Sequence, residues 1–331
     1  MSGAWRAALA LGALAVGCLP RADYHCDKHA QCGDGAFCEI DGRCSARDPA
    51  CSSGRRYLGD EGDVSRACVG ETCADNALVT LAAGVEHACA VRHDGTVSCW
   101  GRNDDGELGD TTRTPRATAA TVAGVTGATA IAAGARHTCA VAGGAVLCWG
   151  ADDSGQLGDG GGPARAAPIM VPGVTTAIAV AAGAAFSCAV LADGTAQCWG
   201  DNSTGQLGDG GPAAAKRAPT SVFALIGIRT IAASADGQHT CALRDDETLW
   251  CWGANASGQL GDGTLTARPQ PVQARMLGSV TAVAAGLSHT CATTRADGLY
   301  CWGANSAGQL GHEDPTAETL PVAVPLVPNA I

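Results

Sequence analysis

Cysteine is the residue type in this sequence with the widest chemistry, because a thiol can bind a metal, attack a substrate or oxidise to a disulfide. The chain has 18 cysteines in 331 residues. A reducing cytosol would keep such a set as thiols, so the number predicts an oxidising compartment. Ten of them form five pairs of the type C-A-V-R-H-D-G-T-V-S-C, each followed by Trp-Gly. The predicted disulfides join Cys89 to Cys99, Cys139 to Cys148, Cys188 to Cys198, Cys241 to Cys251 and Cys291 to Cys301.

The spacing within the pairs predicts β-hairpins whose cysteines lie directly opposite each other. In the first and third pairs the cysteines are ten positions apart, which leaves a three-residue turn with Gly95 or Gly194 in the left-handed conformation. The pair that begins at Cys139 is nine apart, and its two-residue turn, Gly143 and Gly144, suits a type I′ hairpin. Compared with the other pairs, both the turn and the spacing between the two cysteines are one residue shorter, so the cysteines stay opposite each other. Opposed positions on antiparallel strands are close enough for a disulfide.

Two of the hairpin turns fit this pattern less well. Glu247 occupies the glycine position of the fourth turn, and Gly298 lies one position late in the fifth, which predicts a bulge or a wider loop. Reduced core thiols, or metal ligands at Cys-x9-Cys spacing, are the alternative to the disulfides.

Seven further cysteines lie in residues 26–75, a segment with almost no large apolar side chains to bury. Crosslinks must hold such a segment, which looks like a small EGF-like or knottin-like module. A zinc site is the alternative, although no C-x2-C pair is present. Six cysteines could form three bridges of open connectivity, leaving Cys73 free or joined elsewhere. The six candidates are Cys26, Cys32, Cys38, Cys44, Cys51 and Cys68.

The N-terminal sequence MSGAWRAALALGALAVGC indicates a secretory signal. One cation precedes an apolar run over residues 7–16, which is too short to span a bilayer. The segment resembles a bacterial lipoprotein signal, which is cut just before a cysteine that then receives the lipid. Ala15 stands where that pattern usually has Leu. We expect a signal peptide over 1–17, a lipid on Cys18 and a linker over 18–25, with ordinary secretion as the alternative.

From residue 76 the sequence repeats with a period of about 50 residues. Each of five units opens on a short apolar strand such as TLAAG, continues through the cysteine hairpin and closes on a proline-bearing apolar stretch. Gly, Asn and Asp at the turns and the lack of a helical period predict about four strands per unit. The predicted fold is therefore all-β, a β-propeller of four-stranded antiparallel blades over 76–331, preceded by the disulfide-rich module.

The motifs AAGARHTCAV and LCWGADDSGQLGDG, with four sibling copies, resemble the repeat of the regulator of chromosome condensation (RCC1) family. The resemblance implies a β-propeller. Members usually have seven blades, whereas five are counted here. Five blades could close by strand pairing near Leu81 and Val324, form an open arc, or be completed by a second chain. The cysteine pair is not part of the eukaryotic pattern and looks like an exported bacterial variant.

Recurrent histidines and tryptophans could suggest a metal ring or a ligand cage, but they recur once per unit and are expected to serve hydrogen bonding and packing between sheets. Phe186 replaces the histidine of the third unit. Acidic loops such as NDDGELGD could hold calcium, although turn chemistry explains their Asp, Asn and Gly without an ion. No catalytic motif stands out. The recurrent histidines are His87, His137, His239 and His289, and the recurrent tryptophans are Trp100, Trp149, Trp199, Trp252 and Trp302.

Charge and composition restrict the function. The net charge of −11 argues against a nucleic-acid-binding surface. We expect an exported, lipid-anchored scaffold of the cell envelope, or a secreted one, that binds a protein or glycan, without enzymatic activity or cofactor. The alternative is that the chain binds calcium. The lipid is the only expected contact with a membrane. The resemblance implies two alternative functions, inhibition of an extracellular hydrolase by a secreted protein and, more remotely, guanine-nucleotide exchange. A further alternative is a hydrolase whose site is assembled across blades.

Overall fold

The computed structural model describes residues 78–296 and 298–325 in full and, before them, the backbone of four short strands. The predicted signal segment lies outside the described residues, as do the lipidation candidate Cys18 and four cysteines of the N-terminal module, Cys26, Cys32, Cys51 and Cys73. What the sequence indicates for these residues therefore stays a prediction.

The four N-terminal strands form one antiparallel sheet in chain order. They are β1 (Phe37–Cys38), β2 (Cys44–Arg47), β3 (Arg55–Leu58) and β4 (Val64–Cys68). The backbone register places Cys38 opposite Cys44. The pairing of the module's six candidate cysteines stays a prediction.

Five further four-stranded antiparallel sheets, named blades 1 to 5, follow along the chain, and each takes its strands from one repeat. Blade 1 contains β5 (Leu78–Ala83), β6 (His87–Arg92), β7 (Val97–Gly101) and β8 (Arg116–Thr121). Blade 2 contains β9 (Ala128–Ala133), β10 (His137–Ala142), β11 (Ala145–Gly150) and β12 (Arg165–Met170). Blade 3 contains β13 (Ala177–Ala182), β14 (Phe186–Leu191), β15 (Ala196–Gly200) and β16 (Lys216–Ser221).

Blade 4 contains β17 (Ile228–Ala233), β18 (His239–Arg244), β19 (Leu249–Gly253) and β20 (Arg268–Gln273). Blade 5 contains β21 (Val280–Ala285), β22 (His289–Thr294), β23 (Leu299–Gly303) and β24 (Glu318–Ala323). Within residues 78–296 and 298–325 no residue is helical. The predicted all-β fold of four-stranded blades is confirmed.

The hairpin between the second and third strands has the predicted register. In blade 1 Cys89 lies opposite Cys99, and Gly95 has a φ of 76°. In blade 2 Ala142 pairs with Ala145, so Gly143 and Gly144 form the two-residue turn, with φ values of 58° and 82°. All five cysteine pairs form disulfides, Cys89–Cys99, Cys139–Cys148, Cys188–Cys198, Cys241–Cys251 and Cys291–Cys301.

The fourth and fifth turns keep the same length as the first. Glu247 takes the left-handed conformation itself, with a φ of 65°. In blade 5 the Thr294 N–H donates to the Gly298 carbonyl across 2.9 Å, which matches the bond that closes the turn of blade 4, Arg244 to Thr248. The prediction of a wider fifth loop is therefore wrong, because Thr293 pairs with Leu299 as Leu243 pairs with Leu249 in blade 4, which leaves a turn of the same length.

The apolar core lies between successive blades. Between blades 1 and 2, Val91, Val97 and Leu108 pack with Ile131 and Trp149. Equivalent clusters join blade 2 to 3, 3 to 4 and 4 to 5. Small residues on the inner strands let the backbones approach. Each of the four contacts between blades buries one indole, which comes from the later of the two blades. The four fully buried tryptophans are Trp149, Trp199, Trp252 and Trp302.

Blade 5 and blade 1 share no strand pairing among the described residues. Strand β5, which carries Leu81, pairs only with β6, and β24, which Val324 follows, pairs only with β23. Each repeat supplies all four strands of its own sheet, so no strand remains to be exchanged between the first and last blades. The pairing near Leu81 and Val324 is thus absent from this part of the chain.

Candidate functional site

One backbone carbonyl organises each contact between blades. It belongs to the residue before Leu-Gly in the loop between the third and fourth strands, named here the cd loop. The Glu107 carbonyl of blade 1 accepts a hydrogen bond from Trp149 Nε1 across 2.7 Å and another from Thr138 Oγ1 across 3.0 Å. The same pair of bonds recurs at the next three contacts. The acceptors there are Gln156, Gln206 and Gln259, and the donors are Trp199 with Ser187, Trp252 with Thr240 and Trp302 with Thr290.

The recurrent histidines complete this contact. His87 Nε2 lies 2.9 Å from Thr138 Oγ1 of the next blade. Because that hydroxyl donates to the Glu107 carbonyl, it accepts from the histidine Nε2–H. His137 and His239 make the same contact with Ser187 and Thr290, both across 2.9 Å.

Burial keeps these imidazoles neutral. It lowers the pKa of His87 to about 4, that of His137 to about 3 and that of His239 to about 4. These three histidines therefore carry the predicted structural hydrogen bonds, whereas His289 of blade 5 has no such bond among the described residues. Sequence reasoning missed their partner, although Thr or Ser follows the histidine position in blades 2 to 5 and Ala88 follows it in blade 1.

The acidic cd loops satisfy their own carboxylates. In blade 1 the Asp110 carboxylate accepts the backbone N–H and hydroxyl of Thr112 and a bond from Arg116. Burial raises the pKa of Asp110, but these bonds outweigh it and lower the pKa to about 2. Asp262 of blade 4 is bound in the same way by Thr264 and Arg268. Among the described residues no three His, Cys, Asp or Glu side chains gather as a metal site would require.

Glu107 Oε1 is buried without a hydrogen-bond partner, and Asp152 is a second exception among the cd loops. The other four blades have asparagine at this position, and Asn103 shows its role: Oδ1 accepts the Leu108 N–H, and Nδ2 donates to Asp110. Asp152 keeps the first bond, from the Leu157 N–H, but its Oδ2 is buried without a hydrogen-bond partner. Burial therefore raises the pKa of Asp152, and the charge of Asp159 raises it further.

The inner strands of blades 1 to 4 line a cavity of about 220 Å³ whose walls are small and apolar. Alanine predominates, and Val180 and Ile231 are the largest side chains. None of the residues that line this cavity carries an acid, a base or a nucleophile. Four of the five disulfides are equally inaccessible, since their eight cysteines are fully buried in the contacts between blades, whereas Cys291 of the fifth is half-buried.

Large apolar side chains are exposed on both rims of the blades. Val85, Leu265 and Leu287 lie on the rim that carries the cd loops. The opposite rim, named here the hairpin rim, consists of the hairpin turns and the loops that lead from the fourth strand of one blade to the first strand of the next. Phe223 and Ile226 on loop 222–227 are 50% and 65% exposed, and Met276 on loop 274–279 is 78% exposed. These three residues are named here the rim patch. A groove of about 530 Å³ along β20 ends at Met276.

The rim patch is held by an unusual backbone. Ala224 and Met276 have φ values of 50° and 61°. The corresponding loops of the earlier blades have glycine at this position, Gly124 and Gly173. A side chain with β-carbon costs about 1–2 kcal/mol in that conformation, so these loops hold exposed apolar groups at the expense of stability.

Comparison with known proteins identifies the architecture. A family model described as the RCC1-like domain matches residues 51–330. Human WBSCR16 is 22% identical, with a TM-score of 0.67 over 82% of this chain and 72% of that one. Prp20p from Saccharomyces cerevisiae, whose binding properties to Gsp1p and histones are described with its structure, is 22% identical, with a TM-score of 0.66 over 85% of this chain and 74% of that one.

Yeast RCC1 (Prp20) bound to Kap60 gives a similar result, with 21% identity and a TM-score of 0.67 over 85% of this chain and 72% of that one. No curated protein sequence matches the chain. The part of the chain that the structure describes contains no helix able to cross a membrane.

Proposed function

Because the chain belongs to the RCC1-like domain family, we propose that it is a protein-binding scaffold, exported and anchored by a lipid on Cys18, whose partner docks on the hairpin rim. Protein binding has precedent on this fold, since Prp20p is described with Gsp1p, histones and Kap60. The rim patch is the observation that carries the proposal. Aromatic and methionine side chains are enriched in protein interfaces, and Phe223, Ile226 and Met276 are exposed on loops with a strained backbone.

A protein partner suits this surface better than a glycan. Cations accompany the apolar side chains on the same rim. Arg244 Nε donates to the Ile226 carbonyl across 2.8 Å, and Arg295 pairs with Glu247 between the turns of blades 4 and 5. Apolar anchors surrounded by arginine are typical of the centre of a protein interface.

A binding role without catalysis or cofactor fits the known roles of the polar groups. The buried histidines are held by hydroxyls of the next blade, and the carboxylates of Asp110 and Asp262 are held by threonine and arginine donors. Binding is accordingly expected to be unchanged by EDTA.

Export and anchoring are supported by the N-terminal signal pattern and the five disulfides. Intact-mass analysis of the N-terminal peptide from native membranes tests the anchor. We expect residues 1–17 to be missing and a lipid on Cys18. An unmodified processed N-terminus would refute the anchor while leaving the binding role standing.

Capture from cell-envelope extracts tests the binding role. The purified chain, crosslinked to its partner, is compared with a Phe223→Asp, Met276→Asp variant. We expect the variant to lose the captured protein. Leu265→Asp is the matched control, because Leu265 is 59% exposed but lies on a cd loop at the opposite rim. Equal loss in both variants, or in neither, would contradict docking on the rim patch.

A further inference from the structure

The fourth strand of every blade leaves one edge of its sheet unpaired, and in blades 2 to 5 this outer edge carries a proline. The proline is always the fourth residue of the strand. Because proline has no N–H to donate, it is a common means of blocking an exposed sheet edge. Blade 1 has Ala119 at this position of strand β8. The prolines of the other blades are Pro168, Pro219, Pro271 and Pro321.

The N–H of Ala119 lies on the unpaired side of β8. The Val122 N–H donates to the Val97 carbonyl across 2.9 Å and so points toward β7. Both Ala120 and Arg116 pair with β7, so the alternation is kept across the irregularity between them. Successive residues of a strand point their N–H and C=O groups to opposite sides. Those of residues 117, 119 and 121 therefore point away from the sheet.

A second form of protection is also missing from β8. The Thr111 N–H of the preceding cd loop donates to the Ala166 carbonyl on the outer edge of blade 2 across 2.8 Å. Ala117 is the counterpart of Ala166, and its carbonyl accepts no such bond among the described residues. Ala117, Ala119 and Thr121 are all exposed. The carbonyls that are covered in the same way in blades 3 to 5 are those of Arg217, Pro269 and Thr319.

From this open edge we infer that two copies of the chain pair through β8, antiparallel and around a two-fold axis at Ala119. In this register Ala119 lies opposite Ala119 of the other copy, and Ala117 lies opposite Thr121. Each opposed pair exchanges two N–H···O bonds, so about six bonds join the copies. The two blades 1 thereby form one continuous sheet.

A second copy is the occupant because it supplies a complementary edge in the same register. Among the outer strands of the five blades, β8 is the one without proline, and each copy brings this strand. Arg116 is the only charged side chain of β8, and it lies opposite Val122 of the other copy, so no like charges meet. The side chains that lie opposite each other at residues 117, 119 and 121 are small and uncharged.

The proposed contact leaves the blades of both copies in place. Strand β8 is at the opposite edge of its sheet from β5, whose Ala82 and Ala83 line the central cavity. The second copy therefore adds to the outside of blade 1 and inserts nothing between blades. A two-fold axis uses the open edge of both copies, so the assembly closes at two.

Sedimentation of the purified full chain over a range of concentrations tests the inference with Ala119→Pro. This variant gives blade 1 the residue that the other four blades carry, so we expect it to fold, and thermal unfolding verifies this. Loss of the central N–H from both copies is expected to weaken dimerisation at least about tenfold. Ala119→Ser is the matched control, because it keeps the N–H and should dimerise as the wild type does.

Oxidative crosslinking tests the register. Ala119→Cys places two thiols on the axis, where opposed Cα atoms about 5.5 Å apart allow a disulfide, so we expect a covalent dimer. In the control, Thr121→Cys, the two thiols lie about four residues, or about 13 Å, apart along the paired strands, and no crosslink is expected.

Four results would overturn the inference. These are a wild-type chain that is monomeric up to about 1 mM, assemblies larger than two copies, a dimer that persists in Ala119→Pro, and crosslinking of Thr121→Cys in place of Ala119→Cys. None of the variants changes the rim patch, so their outcome is independent of the proposed function.

Discussion

Trp199 Nε1 donates a hydrogen bond across 2.9 Å to the backbone carbonyl of Gln156, and this bond joins blade 3 to blade 2. The carbonyl also accepts from Ser187, whose hydroxyl in turn binds His137. One peptide group thus connects a cd loop, an indole and a buried imidazole at the boundary between two sheets. The bonds from an indole and a hydroxyl to one such carbonyl recur at the other three contacts between blades.

Replacing Trp199 by phenylalanine is expected to lower the free energy of unfolding by about 1–3 kcal/mol, because it removes a buried donor and leaves space beside Gly158. Urea unfolding measures the change. The matched control is Trp250→Phe, since the half-buried Trp250 donates only to Thr248 of its own hairpin. An equal loss of unfolding free energy in both variants would show that an indole at the contact between blades contributes no more to stability than an indole within a hairpin.

Asparagine at position 152 is expected to stabilise the protein by about 1 kcal/mol at neutral pH, because its Nδ2 puts a donor in place of the unpartnered Asp152 Oδ2, as Asn103 Nδ2 donates to Asp110. Burial raises the pKa of Asp152 above its ordinary 3.8, so the folded chain binds this proton more tightly than the unfolded chain. The stability of the wild type therefore falls as pH rises from about 3.8 through the raised pKa.

The gain from Asp152→Asn should accordingly be smallest below pH 3.8 and reach its full size at neutral pH. Thermal unfolding across this range measures it. Asn103→Asp, which makes the opposite change in blade 1, is the control and is expected to destabilise. A gain that is independent of pH would contradict the assignment to this carboxylate.

Much of the fold follows from the sequence because its determinants are local. The loss of one residue from both the turn and the cysteine spacing at Cys139 and Cys148 fixes the hairpin register without reference to other blades. The late glycine at position 298 did not widen the fifth turn, because the Cys291–Cys301 disulfide and the adjacent strands hold the register.

The contacts between blades are harder to read from sequence. The bond from His87 to Thr138 joins residues about one repeat apart, and it depends on how the two successive blades pack against each other. The Thr or Ser after the histidine position in blades 2 to 5, against Ala88 in blade 1, was the available signal.

Removing one disulfide by the double substitution Cys139→Ala, Cys148→Ala is expected to cost about 2–3 kcal/mol in the chain-entropy account, with an added term for the space left between blades 2 and 3. Urea unfolding with and without reductant measures this. The loss should be smaller when both chains are reduced, because the wild type then loses its crosslinks too. Equal losses in the two conditions would show that the bridge contributes only through packing.

Glycine at position 224 is expected to stabilise the chain by about 1 kcal/mol, because it relieves a left-handed alanine. Ala119→Gly in strand β8 is the control and should destabilise, since glycine is unfavourable within a strand. Thermal unfolding measures both. Destabilisation by Ala224→Gly would mean that the β-carbon has a packing role outweighing its strain.

Hydrogen–deuterium exchange of the chain, alone and with its captured partner, tests the binding role of the hairpin rim most directly. We expect the partner to slow exchange at the backbone amides of loops 222–227 and 274–279 and to leave the cd loop 254–267 unchanged. Slowed exchange confined to the cd loops, with the hairpin rim unaffected, would contradict docking on Phe223, Ile226 and Met276.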